Sequence, residues 1–475
     1  MTSNSASAQH MSSPSEMIAA CAGRPWSSYL VVPAAWLGHI VSLGIVYSFG
    51  VLVPAFQEEW PDATAGDMGF LGSFLTGIFL GSSFIAGVLV LRLGHRCVGV
   101  LGGCLAIAGW LAVSAARKPW QAYPGLAVLG TGLNFAWSPG LSLLPPHFPS
   151  RKATVSGIAV TGSGVGTLVW SYVNRALVES LGLHTTLSIL AGVNSGLIFI
   201  AAAGFSPVPS AKSRTNHPTE SAETVSAVEY GEQVKSQEDA KIMPSATSQS
   251  LFRDPIFGVL CIATLFSCLG FFAPFTHAAA FAEQLSCNED TGRGAFMLFG
   301  VFSIIGRLLA GPLADRFGAL VVWPFGLISC AAMLLWLGSA PNCDNITYSM
   351  AALGLASGPV IALVAPLLVE LFGMERLPLA LGPMMLTNGI GGFFSPAIAG
   401  FIRDLTDSYR IAFACCSIFM FLAGSIMLIV KLLHCRRQVS KTPSIKSPVA
   451  DTRSAIETFA GATETAEEFA VVCSI

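Results

Sequence analysis

The sequence predicts an all-α integral membrane protein, with twelve transmembrane helices in two six-helix bundles. Three observations carry that prediction. The 475 residues are 53% hydrophobic and only 11% charged, with a mean hydropathy of +0.66, whereas a soluble domain is about one-quarter charged. Apolar stretches of membrane-spanning length recur along the whole chain, and the second half repeats a pattern of the first. The net charge of −2 gives no argument for a nucleic-acid partner. The 48 glycines and 27 prolines fall largely inside the apolar stretches, as packed and kinked membrane helices tolerate.

A hydrocarbon core of about 30 Å is crossed by about 20 apolar residues in a helix. Residues 1–29 form a polar tail without the basic-then-apolar order of a secretory signal, so the first apolar run is expected to remain in the mature chain. Runs near 30–55, 67–91, 97–116, 121–145, 153–178 and 185–206 make the N-terminal bundle, 30–206. Residues 207–254, dominated by Ser, Thr, Glu and Lys, have the composition of a disordered linker. Runs near 255–281, 294–315, 319–340, 348–372, 379–402 and 411–434 make the C-terminal bundle, 255–434, and 435–475 is a polar tail. Arg92, Arg96, Arg151, Lys152, Arg316 and Arg376 lie in alternate short loops, joined by Lys431, Arg436 and Arg437 at the end of the last run. The acidic stretch 57–67 lies opposite, with Arg117, Lys118 and Arg410 diluting the contrast. The bias places the linker and both termini in the cytoplasm, with the plasma membrane as the expected location.

The repeat joins "SSFIAGVLVLRLGHR" (82–96) to "GRLLAGPLADRFGAL" (306–320), in which Ala86/Ala310, Gly87/Gly311, Leu89/Leu313, Arg92/Arg316 and Gly94/Gly318 match. Both copies fall at the cytoplasmic end of the second helix of their half. The second copy resembles the loop signature of the major facilitator superfamily, whose two six-helix halves hold substrate between them near the midplane. Its glycines allow close helix approach and a tight turn, while Asp315 and Arg316 are placed to pair across the bundle. Gly87, Arg92, Gly311, Asp315, Arg316 and Gly318 are therefore the candidate gating residues. The first copy has Leu91 where the acid would stand.

A narrower resemblance, to the monocarboxylate transporter family, rests on four stretches. "GLNFAWSPGLSLLPPHF" (132–148) runs into "HFPSRKATVSGIAVTGSGVG" (147–166), similar to the family's fifth-helix signature, with Arg151-Lys152 and the small residues Gly157, Ala159, Gly162, Ser163 and Gly166. Spacings of this kind let another helix pack on bare backbone. Residues 269–318 resemble the family's seventh and eighth helices, and 367–409 its tenth-to-eleventh segment. There are departures. "GRPWSSYL" (23–30) keeps only an aromatic of the family's opening element, and Val51 stands where lactate-carrying members place a lysine. Ser303 stands where they place an aspartate, one turn before Arg307, which is retained; Asn388 stands where oxalate–formate exchangers carry a lysine.

An ionisable group inside the bilayer costs several kcal/mol, so each is a functional candidate. Arg307 leads: its planar guanidinium matches a carboxylate bidentately and keeps its proton. Tyr47, Asn134, Ser303 and Asn388 supply neutral hydrogen-bonding capacity and complete the substrate-binding candidates. His39, about ten residues into the first helix, and His277, near the outer end of the seventh, are the proton-coupling candidates. Arg175 reads as a snorkelling interfacial residue, and Glu370 and Glu375 as gating or structural groups.

The function these residues imply is a carrier of small monocarboxylates, lactate- or pyruvate-like, working by alternating access with or without a coupled proton. A facilitator of aromatic amino acids or another larger carboxylate is the alternative within the class, and a transporter-like sensor or receptor the alternative outside it. An enzyme is not expected, and neither a cofactor nor a metal: the 12 cysteines include no CxxC pair or metal spacing. The partners expected are a small organic anion, a proton and the lipid bilayer, with an ancillary membrane subunit left open. Cys287 and Cys343, both in outward loops, are candidates for a disulfide. Asn345-Ile-Thr347 is a glycosylation sequon close to the membrane, and Cys435, beside Arg436-Arg437, is a palmitoylation candidate.

Overall fold

The structure, a computed structural model, describes residues 26–63, 65–206, 251–287 and 289–441. Its helices are α1 (Tyr29–Glu59), α2 (Asp67–Leu93), α3 (His95–Ser114), α4 (Pro119–His147), α5 (Lys152–Leu181) and α6 (Leu183–Ala203), then α7 (Pro255–Phe271, continued by Ala273–Gln284), α8 (Glu289–Phe317), α9 (Ala319–Gly338), α10 (Cys343–Phe372), α11 (Leu377–Thr406) and α12 (Tyr409–Lys441). Among the described residues, 11 spans are long and apolar enough to cross a membrane. The remaining helix, α4, has the length, at 29 residues, but carries Pro124, Pro139, Pro145 and Pro146 inside it and is diluted by polar residues such as Asn134 and Ser138.

Several spans are broken, and side chains repair the breaks. In α1 the α-helix stops at Val41 and resumes at Leu43, then tightens into a 3-10 turn at Phe49–Leu52. Asn194 of α6 donates through Nδ2 to the Val41 carbonyl at 2.8 Å, and Trp110 of α3 donates to Asn194 Oδ1 at 3.4 Å. Within hydrocarbon a freed carbonyl needs such a partner, since no water supplies one. On one side of the bundle, the α2–α3 and α8–α9 turns pass through Gly94 (φ +80°) and Gly318 (φ +89°), left-handed conformations that favour glycine. This is called the turn side below. On the far side the structure joins Cys287 to Cys343, tying the α7–α8 loop to the start of α10. The sequon residue Asn345 lies in the first turn of α10, its Nδ2 donating to Asn342 Oδ1 at 2.8 Å. Of the tails and linker expected at 1–29, 207–254 and 435–475, residues 1–25, 207–250 and 442–475 lie outside the described residues, as does the side chain of Cys435.

The small residues of α5 serve two neighbours at once. A Cβ at Gly166 would come 2.5 Å from the Ile40 carbonyl oxygen of α1, and a Cβ at Gly157 would come 2.6 Å from that of Arg307 on α8. One helix thus presses its glycines against both the first helix of its own half and the second helix of the other half. That contact positions the site.

Candidate substrate site between the halves

Arg307 projects from α8 across the seam to α5. It is 1% exposed. Its Nη1 donates to Ser163 Oγ at 2.7 Å and to the Val160 carbonyl at 3.2 Å, while Nε is sealed without a partner. Gly164 makes room for it, since a Cβ there would stand 3.2 Å from Nη1 and 2.6 Å from Ile304 Cγ1. Among the described residues no carboxylate pairs with this guanidinium. Removing a charge from water without an opposite charge is strongly unfavourable, and two neutral acceptors on one nitrogen compensate only part of it.

His39 of α1 is fully buried and lies within the field of Arg307. Its Nδ1 is 2.7 Å from the Ala35 carbonyl, an acceptor only, so Nδ1 carries the hydrogen and Nε2 of the neutral ring is a lone pair. That Nε2 has no partner. The ring stands edge-on to Trp137 of α4, with centroids 6.0 Å apart. Tyr47 also lies within the field of Arg307 and stacks on Phe275 of α7, with centroids 5.8 Å apart and planes 6° from parallel. His39 and Tyr47 thus each lie within electrostatic range of Arg307.

The other candidates spread out. Asn134 ties α4 to α2 by donating to the Phe79 carbonyl and to Ser83 Oγ, each at 2.6 Å, and its buried Oδ1 is left unpaired. Ser303, one turn before Arg307, shares a 3.3 Å contact with Ser357 Oγ of α10. Asn388 of α11 donates weakly to Met385 Sδ at 3.7 Å, with Oδ1 buried and unpartnered. His277 is not with His39: its Nε2 is 2.8 Å from the Pro396 carbonyl and its ring packs on Tyr409, joining α7, α11 and α12 towards the far side. Arg175 pairs with Glu179 at 2.6 Å, and Glu370 caps α9 by accepting from Ala319 N at 2.7 Å.

The gating candidates lie at the turn side. Asp315 crosses from α8 to cap α5: Ala153 N donates to Oδ1 at 3.0 Å, and Thr154 N and Oγ1 donate to Oδ2 at 2.9 and 2.6 Å. Beneath it Gly311 abuts Thr154, where a Cβ would stand 2.6 Å from Thr154 Cα. Gly87 of α2 meets Pro378 at the start of α11, where a Cβ would stand 2.7 Å from the carbonyl oxygen. Arg92 and Arg316 are exposed, and the Arg316 guanidinium lies 5.3 Å from the Phe317 ring centroid. A cleft of about 470 Å³ here is lined by Ser150, Arg151, Thr154, Pro312, Asp315 and Arg316. Towards the far side the halves also touch, through Tyr47 on Phe275 and through Phe70 and Phe74 on Phe393 at 5.2 and 6.4 Å. Sequence reasoning missed Trp137, Phe275 and Phe393. Only their spatial neighbours distinguish them from the other aromatics.

Two bundles pressed together at both ends around a buried cation define a membrane carrier. The profile of the Major Facilitator Superfamily matches residues 35–353 and 260–462, and the chain belongs to that superfamily. It is 26% identical over 428 residues to monocarboxylate transporter 10 of Rattus norvegicus, covering 87% of this chain and 80% of that one. Over 367 residues it is 27% identical to monocarboxylate transporter 12 of Mus musculus, covering 74% of each. Over 380 residues it is 25% identical to the agnestins efflux protein AgnL12 of Paecilomyces divaricatus, covering 78% and 80%. Two solved structures share the fold. The proton:xylose symporter XylE has a TM-score of 0.63 at 14% identity, covering 85% of this chain and 95% of that one. FucP in the outward conformation has a TM-score of 0.62 at 16% identity, covering 84% and 99%. The protein is a multi-pass membrane transporter, similar in sequence to monocarboxylate transporters, and not an enzyme.

Proposed function

We propose that this transporter carries small monocarboxylates by alternating access, with Arg307 as the residue that holds the carboxylate. One observation carries the reading: a fully buried guanidinium spans the two halves and has neutral partners but no carboxylate. An anion entering between the halves supplies the missing charge, and two parallel N–H···O bonds fix its orientation. The similarity to monocarboxylate transporters 10 and 12 supports a carboxylate as the cargo.

His39 is the proposed proton acceptor where uptake is coupled. When protonated, its Nε2–H becomes a second donor beside Arg307, and the extra charge is tolerable there once the anion is present. Arg307 is the charged group in its field; α4 and α5 bring Trp137 and Gly162 against it. The Asp315 cap and the Gly311 and Gly87 contacts close the turn side, proposed as cytoplasmic from the Lys and Arg bias, with the plasma membrane as the site of action. The test is uptake of radiolabelled lactate and pyruvate into proteoliposomes, with and without an inward proton gradient. Saturable uptake lost in Arg307→Ala is expected. Full uptake by that variant overturns the binding role, and gradient-independent uptake overturns coupling.

A further inference from the structure

Two buried polar atoms near the seam, Trp137 Nε1 and Asn134 Oδ1, have no role in carboxylate or proton binding. The tryptophans of the fold mostly spend their indole N–H: Trp36 on Thr161 Oγ1, Trp110 on Asn194 Oδ1, Trp170 on the Ile40 carbonyl and Trp323 on the Val360 carbonyl. Two buried tryptophans, Trp60 and Trp137, do not, and of these Trp137 is the one that packs on His39. Its ring lies between His39 and Phe79, 6.0 and 5.5 Å away by centroid. Asn134 stands one turn earlier on the same face of α4. Because Asn134 donates to the Phe79 carbonyl, its amide orientation is fixed and its unpaired Oδ1 is an acceptor. The indole thus carries an unpaired donor, and an unpaired acceptor stands one turn away on the same helix, while the ring itself packs on His39.

Buried polar groups inside hydrocarbon are costly when unpaired. They are tolerable in a form whose halves are shut at both ends if a ligand pairs them when the halves part. We propose that Trp137 and Asn134 are specificity-determining residues that read the substituent on the carbon next to the carboxylate, and that they select a hydroxyl. The inference rests on Arg307 holding the carboxylate. A hydroxyl accepts from Trp137 Nε1–H and donates to Asn134 Oδ1 together. An oxo group accepts from Trp137 and leaves Asn134 unpaired. An ammonium donates to Asn134 and leaves the indole N–H unpaired, and an unsubstituted acid satisfies neither. Rejection by an unpaired buried group is the stronger form of selection, because the site loses a bond it cannot replace.

The experiment is a four-way competition in proteoliposomes with three-carbon acids that differ only at that carbon: lactate, pyruvate, alanine and propionate. The wild-type protein is expected to take lactate first and propionate last, with at least about a tenfold span. Trp137→Phe keeps the ring and removes the N–H, and it is expected to cut the lactate-to-propionate ratio about tenfold. A wild-type protein that takes lactate and propionate equally overturns the inference without any variant. So does a ratio unchanged in Trp137→Phe, which would assign the two atoms to an ordered water. If the wild-type protein carries none of the four, the small-monocarboxylate reading fails and this inference with it. If it carries them without rank, the carboxylate reading stands and only this inference falls.

Discussion

The two copies of the glycine-bounded turn occupy matching corners of the molecule and do different work. In one, α8 of the second half meets the start of α5: Gly311 abuts Thr154, and Asp315 collects the free N–H groups of Ala153 and Thr154. In the other, α2 of the first half meets the start of α11: Gly87 abuts Pro378, and Leu91 stands where the acid would be. Positions 154 and 378 are separated by 224 residues, as are 87 and 311. The corner that lost its carboxylate is therefore the corner whose facing residue is a proline, which has no N–H to give. Acceptor and donor are absent together. The close glycine contact survives in both corners and the hydrogen-bonded cap in only one, so packing and latching are separable functions of the turn.

The same asymmetry extends along the helices, and it sets the largest expected effect. The counterpart of Arg307 at the 224-residue spacing is Ser83, which accepts from Asn134 Nδ2. The cation is thus contributed by one half alone. Arg307→Ala is expected to lower uptake by about a hundredfold or more, in line with truncating one partner of a buried charge interaction. Ser83→Ala, which removes a neutral acceptor, is expected to cost only a few-fold. Comparable losses in the two variants, measured as initial uptake rate per reconstituted protein, would break the one-sided assignment.

Next in size come the glycines. Gly311→Ala and Gly87→Ala each place a methyl within van der Waals overlap of facing backbone, at 2.6 and 2.7 Å. Backbone cannot swing aside as a side chain can, so each substitution is expected to hold its corner apart and to slow uptake about tenfold. Loss at Gly311 with none at Gly87 would mean that only the latched corner closes during transport. Asp315→Asn should do less. It keeps the shape and removes the charge at the start of α5, a change worth about 1 kcal/mol. That shifts the balance between turn-side open and closed forms by about fivefold. Reactivity of a cysteine placed at Ser150, in the adjoining cleft, towards a membrane-impermeant maleimide reports this shift as faster labelling.

Much of this was legible in the sequence, for reasons that differ from residue to residue. Eleven of the twelve spans are visible to hydropathy alone. The repeat located both turns because glycine and arginine recur at fixed spacing, and the lone acid at 315 marked the second copy as different. Arg307 declared itself by charge in an apolar run. What the sequence left hidden is mutual position. Nothing local tells that Asp315 caps a helix 161 residues away, or that His277 leans on Pro396 rather than on the seam. Trp137 looks like any other core aromatic until the indole N–H groups of its neighbours are seen to be paired. The length of α8 also escaped a hydropathy reading. It begins at Glu289, ahead of the apolar run, because its first turn is polar.

The smallest expected effect tests the comparison most directly. Leu91→Asp restores the missing acid to the first copy, and on the account above it achieves nothing alone. Leu91 is 61% exposed at the turn-side end of α2, and the facing Pro378 offers no donor. Uptake is expected to stay within about twofold of the wild-type rate, as for surface substitutions generally. Pro378→Ala alone supplies an N–H at the first turn of α11 without an acceptor, and is likewise expected to be mild. The double variant creates both partners, at the spacing that Asp315 and Thr154 already use. It is expected to latch the second corner, slowing turn-side opening and reducing maleimide labelling at Ser150→Cys beyond the product of the two single effects. A cycle with no coupling between the substitutions would show that the two corners differ in geometry as well as in chemistry, and that matched loss of donor and acceptor is not what separates them.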